Sequence, residues 1–121
     1  MERLMLKSKI HRAVITDANL NYEGSFTIDL DILEAANILP YEKVSIVNVN
    51  NGERIETYTI PGERGKKQFC LNGAAARKGE IGDVVIIISY ANFNDIDLQS
   101  YSPTIVVLDN DNNIKKSKTI I

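Results

Sequence analysis

Asn51-Gly52 parts two runs of β-forming residues, 43–49 and 53–60, and this spacing leaves the chain few ways to fold. An Asn-Gly pair accepts the positive φ angles that a tight turn between antiparallel strands demands. The spacing therefore predicts a hairpin. The rest of the chain repeats the pattern of short β-like runs separated by turn residues. Residues 9–15 mix polar and apolar side chains as a half-buried strand does, and Phe26, Ile28 and Leu30 share one face of a run over 25–30. Residues 68–71, 83–90 and 104–108 read as further strands, and 114–121 as a weakly alternating tail that frays.

Helical signals are few. Asp31, Ile32, Leu33 and Ala36 suit a short helix over 31–36, ended by Asn37 and Pro40. Pro61-Gly62-Glu63-Arg64-Gly65 reads as a loop, and 109–113 as a turn. Roughly six or seven short strands with scraps of helix predict a mainly β fold, a compact barrel or sandwich. With 121 residues and no repeat or linker, one domain over 1–121 is expected.

Composition narrows the function classes. Fourteen Lys and Arg against 16 Asp and Glu give a net charge of −2, with an isoelectric point near 5.4, which argues against a nucleic-acid partner. The longest apolar run, 84–88, is too short to span a bilayer, and the start of the chain lacks the apolar stretch of a secretory signal. No membrane partner and a cytoplasmic location are the expectations. A single cysteine, Cys70, excludes an internal disulfide and a cysteine-based zinc site. It reads as a small buried hydrophobe.

Two motifs look chemical but fail on detail. Residues 109–113 resemble the opening of a calcium loop, but its sixth and twelfth positions hold Ile114 and Ile120 instead of Gly and Glu. Residues 62–67 have the glycines and lysines of a phosphate loop without its Gly-Lys-Ser/Thr ending. No metal site is expected.

Three clusters remain. Tyr22-Glu23-Gly24-Ser25 reads as a β-turn in which Gly24 supplies unusual backbone angles. A Gly-Ser bond also offers a hydroxyl beside an unhindered carbonyl, so that the peptide can become an ester. Arg54, Glu56, Tyr58 and Ile60 share one strand face, with Thr57 on the other. Arg54 suits a two-pronged grip on a carboxylate and Tyr58 suits a proton donor, while a solvent-facing ladder is the plainer alternative. Asn72-Gly73-Ala74-Ala75-Ala76 would let a ligand approach the backbone closely, with the start of a helix favouring an anion, or would be a plain turn before a helix.

Taken together, these segments resemble the pyruvoyl-dependent L-aspartate α-decarboxylase (aspartate 1-decarboxylase) family. The resemblance runs from the start of the chain to Tyr90. It rests on Met5-Leu6, Lys9, His11-Arg12, Tyr22-Glu23-Gly24-Ser25, Asn48-Val49, Asn51-Gly52, Arg54 and Thr57-Tyr58. Further on it includes Glu63-Arg64-Gly65, Asn72-Gly73-Ala74-Ala75-Ala76 and Gly82-Asp83-Val84-Val85-Ile86-Ile87.

The resemblance implies a double-psi β-barrel with short helices, assembled as a homotetramer with active sites between subunits. It also implies autocatalytic serinolysis, in which Ser25 attacks the Gly24 carbonyl and a covalent pyruvoyl group is left in place of Ser25. A chain of residues 1–24 and another of residues 25–121, 121 − 24 = 97 residues, result. Cleavage is either spontaneous or assisted by a maturation partner. The pyruvoyl ketone takes the place of pyridoxal phosphate, forming a Schiff base with L-aspartate and accepting the electrons left by CO₂. The product is β-alanine, for pantothenate and coenzyme A synthesis. Carried over residue by residue, Thr57 stabilises the oxyanion during processing, Arg54 holds a substrate carboxylate and Tyr58 donates the proton to the product carbon. Lys9 and His11 lie near the substrate, Gly73, Ala74 and Ala75 line the pocket, and Asn72 orients substrate or intermediate.

The sequence departs from the family pattern at three places. Val47 stands where many members carry Trp, Arg77 where some carry His, and Phe26 where a small residue often follows the processing serine. Two rival readings stand beside the decarboxylase. One is a non-catalytic barrel that binds a small ligand or a protein, and the other is a self-processing enzyme for a different acidic amino acid.

Overall fold

The computed structural model describes residues 1–118. Nine strands form one mixed sheet among these residues. They are β1 (Glu2–Val14), β2 (Asp17–Asn19), β3 (Ser25–Asp29), β4 (Lys43–Asn48), β5 (Arg54–Gly62), β6 (Phe69–Asn72), β7 (Val84–Asn94), β8 (Thr104–Leu108) and β9 (Ile114–Lys118). Two short helices, α1 (Leu30–Ala35) and α2 (Asp95–Leu98), and a 3-10 helix over Gly73–Lys78 complete the fold.

The expected mainly β class is borne out. The strand count exceeds the expectation because β2 is three residues long and carries no alternation to read. The tail expected over 114–121 contains a paired strand as far as Lys118, and residues 119–121 lie outside the described residues. β1 begins seven residues before the expected strand because Glu2–Leu6 pair with Tyr90–Asn94 across polar and apolar residues alike. β5 runs on through Pro61 and Gly62, where a loop was expected, because β3 lies parallel to it over Phe26–Asp29.

The hairpin between β4 and β5 stands where Asn51-Gly52 predicts it, with Gly52 at φ 76°. Buried Asn48 organises its turn. Its Oδ1 accepts the Asn50 and Asn51 N–H groups, and its Nδ2 donates to Asp83 Oδ2 and the Lys78 carbonyl. One side chain thus ties the hairpin to the loop that precedes β7.

The strand order, β2-β6-β3-β5-β4-β7-β1-β8-β9, requires the sheet to curl on itself. β1 and β2 are one continuous stretch of chain, yet β2 is at one margin and β1 six places along. The change of partner takes two residues. Ile15 still bonds to the Asp83 carbonyl at 2.9 Å, and Thr16 already bonds to that of Phe69 at 2.9 Å. Asn112 stitches the seam. Its Oδ1 accepts the Val14 N–H at 2.8 Å, and its Nδ2 donates to the carbonyls of Val14 and Lys67. A barrel demands this kind of closure.

Phe26 and Phe69, fully buried with ring centroids 5.9 Å apart, join Ile10, Ile28, Leu33, Leu71, Val85 and Ile87 in the enclosed core. α1 begins at Asp29, whose carboxylate accepts the Asp31 N–H as an N-cap and the Lys67 N–H from the loop before β6. The core-facing end of β3 is fixed in this way, and its other end begins at Ser25.

Candidate active site

Ser25 opens β3 between two partners. On one side it pairs antiparallel with Asn72 of β6. On the other, the parallel register Phe26↔Thr59 carries Ser25 towards Tyr58 and Gly24 towards Thr57. β3 does not continue past this point, so the Arg54–Tyr58 half of β5 pairs with β4 alone among the described residues. Its unpaired edge borders an open depression of about 440 Å³, lined by Gly24, Ile55, Glu56, Thr57, Tyr58, Ala74, Ala75 and Lys78. Thr57 and Tyr58 both reach it, although they point to opposite faces, because it lies along the strand edge and not over one face.

The Ser25 side chain is fully buried. Its Oγ accepts from Asn72 Nδ2 at 3.0 Å and donates to the Glu23 carbonyl at 3.2 Å. Gly24, in contrast, is exposed at the rim. It has no positive φ, so the turn does not need glycine there for its handedness, contrary to the expectation. The left-handed residue is Gly73, at φ 62°. A Cβ on Gly73 would come within 2.6 Å of the Gly24 nitrogen and 2.6 Å of the Tyr22 carbonyl oxygen. Bare backbone at Gly73 is what lets the 22–24 turn lie against it.

The family model described as "Aspartate decarboxylase" matches residues 1–115. This chain belongs to the aspartate decarboxylase family. It is similar to the "Aspartate 1-decarboxylase" of Aliarcobacter butzleri (strain RM4018), 60% identical over 111 residues that make up 92% of this chain and 87% of the relative. It is 55% identical over 112 residues to that of Thermoanaerobacter pseudethanolicus (strain ATCC 33223 / 39E), covering 93% and 96%. For that of Staphylococcus aureus (strain MSSA476) the figure is 56% over 126 residues, covering 100% and 99%.

Of the residues singled out in this family member, Gly24, Thr57, Tyr58, Ala74 and Ala75 come together at the depression, while Ser25, Asn72 and Gly73 adjoin it in sequence without lining it, Asn72 bonded to Ser25 and Gly73 packed against Gly24. Lys9, His11 and Arg54 do not line it. Lys9 stands in one cross-strand row with Ile88, Ser45 and Glu56, three strand spacings or about 14 Å from β5. Arg54 is four residues from Tyr58, about 13 Å along the strand. The segment after Asn72 is a six-residue 3-10 helix, so it contributes small side chains to the wall and no sizeable helix dipole.

His11 is half-buried beside a bulge in β1, with Nδ1 buried and without a hydrogen-bond partner. Burial, reinforced by the charges of Lys9 and Arg12, holds its pKa below the ordinary value. The 109–113 segment is a turn, as expected. The Asp109 carboxylate accepts the Asp111 and Asn113 N–H groups, and bonds to the Asn113 and Asp111 backbone hold its pKa down. Among the described residues, no group of His, Cys, Asp or Glu is placed to hold a metal ion.

Two further residues meet Asn72 beside Ser25, and neither carries a motif. Thr27 Oγ1 accepts from Asn72 Nδ2 at 2.9 Å, and Cys70 Sγ donates to Asn72 Oδ1 at 3.2 Å. A local pattern cannot place them here, because their meeting depends on β3 pairing with β6.

Proposed function

We propose that this protein is an aspartate 1-decarboxylase that first cleaves itself between Gly24 and Ser25 and then converts L-aspartate to β-alanine and CO₂. The observation that carries the reading is the meeting, in a chain of this family, of Gly24 with Thr57 and Tyr58 at one depression, with Asn72 hydrogen-bonded to Ser25 on the other side of the Gly24–Ser25 bond.

Cleavage begins with Ser25 Oγ attacking the Gly24 carbonyl carbon. A C–O bond forms, the Gly24–Ser25 C–N bond breaks, and the hydroxyl proton passes to the freed amine. Thr57 donates to the oxyanion that forms on the way, a role suited to a hydroxyl on the wall of this depression. Loss of the Ser25 Cα proton then expels the Gly24 carboxylate. One water replaces the nitrogen, which leaves as ammonia, and a pyruvoyl group remains on the 25–121 chain. The surroundings of Ser25 suit this group: Asn72 Nδ2 is already aimed at the Ser25 side chain, and bare Gly73 lets the Gly24 backbone lie close beside it.

The pyruvoyl carbonyl supplies the electron sink for decarboxylation, in place of pyridoxal phosphate. Arg54 grips a substrate carboxylate through its two-pronged guanidinium. Tyr58 holds a proton at Oη and delivers it to the carbon that loses CO₂. Asn72 orients the substrate, and the backbone of Gly73, Ala74 and Ala75 lines the pocket. Lys9 and His11 lie near the substrate in the assembled enzyme.

That Lys9 and His11 stand on β1, apart from the depression in one chain, supports a homotetramer with active sites between subunits. Among the described residues, no helix is long and apolar enough to cross a membrane. A cytoplasmic enzyme supplying β-alanine for pantothenate synthesis fits that observation. The test is to incubate fully cleaved protein with L-aspartate, with L-glutamate as competitor, and to measure β-alanine and CO₂. Release of both, little reduced by glutamate, supports the reading. Their absence overturns the activity, and preferred use of glutamate overturns the substrate.

A further inference from the structure

The Asn72 amide has a donor end and an acceptor end, and its use in cleavage depends on which end faces Ser25. Four side chains occupy two alternate cross-strand pairs, Ser25↔Asn72 and Thr27↔Cys70, on either side of Phe26↔Leu71. Residues i and i+2 of a strand share a face, so the four form a square on one side of the sheet. Asn72 Nδ2 donates to both hydroxyls, at 3.0 Å to Ser25 Oγ and 2.9 Å to Thr27 Oγ1. Its Oδ1 accepts from the Cys70 thiol at 3.2 Å. All of the amide's hydrogen-bonding ends save one oxygen lone pair are thereby engaged.

We propose that Cys70 and Thr27 are positioning residues for self-cleavage, holding the Asn72 amide so that its N–H faces Ser25 Oγ. The inference rests on the self-processing reading above. Turned through half a rotation, the amide would set its N–H against sulfur, a weak acceptor, and its oxygen against Ser25. Ser25 would then give its proton to Asn72 in place of the Glu23 carbonyl, and no donor would face the oxygen as it gains negative charge. The thiol opposes that rotation as long as it carries its proton. Cys70 is 6% exposed, and burial, with the Asp17 charge behind it, raises its pKa, so it remains a donor at neutral pH. Its other contact, to the Leu71 carbonyl, is at 3.9 Å and competes little. Thr27 completes the lock by accepting the second N–H, which would otherwise be left without a partner beside the buried serine.

The test follows cleavage of freshly synthesised chain by denaturing mass spectrometry, with and without extract of the producing cell. Cys70→Ala and Cys70→Ser remove similar volume, but only serine restores a donor. Cys70→Ala is expected to slow cleavage about fivefold, the rate equivalent of one neutral hydrogen bond, with Cys70→Ser close to the parent. Thr27→Val, close in shape, is expected to slow cleavage similarly, with Thr27→Ser rescuing it. Thermal unfolding of each pair checks that the comparison is between folded chains. Parental rates in Cys70→Ala and Thr27→Val, or equal slowing in alanine and serine variants, would overturn the inference alone. A parent chain that never cleaves would overturn the self-processing reading with it.

Discussion

Gly73 and Gly24 lie backbone to backbone, so close that a methyl group on Gly73 would sit 2.6 Å from the Gly24 nitrogen. The contact joins the segment after β6 to the bond proposed to break, although 49 positions separate the two in the chain (73 − 24). Both the clash and the left-handed φ of 62° weigh against any side chain at Gly73. Gly73→Ala is expected to cost about 1–3 kcal/mol in stability and to displace the 22–24 turn from its place against the residue-73 backbone. Cleavage should slow at least roughly tenfold, the rate equivalent of about 1.4 kcal/mol. A time course of Gly73→Ala cleaving at the parental rate would contradict this account of the turn.

Tyr58 and Ser25 are assigned to different steps, so their variants should separate. Tyr58→Phe should cleave normally but turn over L-aspartate about a hundredfold more slowly, with KM little changed, as loss of a general acid predicts. Ser25→Ala should stay a single chain with no decarboxylase activity. Undiminished turnover by Tyr58→Phe would refute the role given to its hydroxyl.

The seam between β1 and the loop after β8 has its own test at Asn112, which is buried and bonds to both backbone groups of Val14. Asn112→Ala leaves the Val14 N–H without its acceptor and should destabilise the fold by about 2–3 kcal/mol. Chemical denaturation measures the loss. A variant within about 0.5 kcal/mol of the parent would show that the seam does not depend on this side chain.

His11 predicts a pH dependence of stability. Burial, then Lys9 and Arg12, lowers its pKa in the folded protein below the ordinary 6.5. Between the two values the unfolded chain binds a proton that the folded chain does not. The stabilisation is therefore complete above about 6.5 and is lost as pH falls through the folded value. The thermal midpoint of the parent should fall between about pH 7 and about pH 5 more steeply than that of His11→Gln. Parallel curves would remove His11 as the cause.

Local residue chemistry made much of the fold legible, and long-range pairing hid the rest. The β4–β5 hairpin follows from Asn51-Gly52, and β8 matches its apolar run residue for residue, because turn chemistry and burial act on neighbours in sequence. Glu2–Leu6 became strand only through pairing with Tyr90–Asn94, a partner that no local pattern specifies. The curl of the sheet, fixed where Ile15 hands over to Thr16, is likewise invisible before the strand order is known.

The site divides in the same way. Gly24, Ser25, Thr57, Tyr58, Asn72, Gly73, Ala74 and Ala75 were marked by motif, and one chain gathers them. Lys9 and His11 carry equal motif weight but stand on β1, away from the depression, and Arg54, next to Ile55 on β5, does not line it. Cys70 read as a small hydrophobe because its polar contact exists only once β3 lies beside β6.

The most direct measurement is a denaturing intact-mass spectrum of the purified protein. The account predicts two fragments that part between Gly24 and Ser25, with the larger lighter by one ammonia than simple hydrolysis would leave it. A single 13.5 kDa species that persists through prolonged warming and incubation with extract of the producing cell would contradict it.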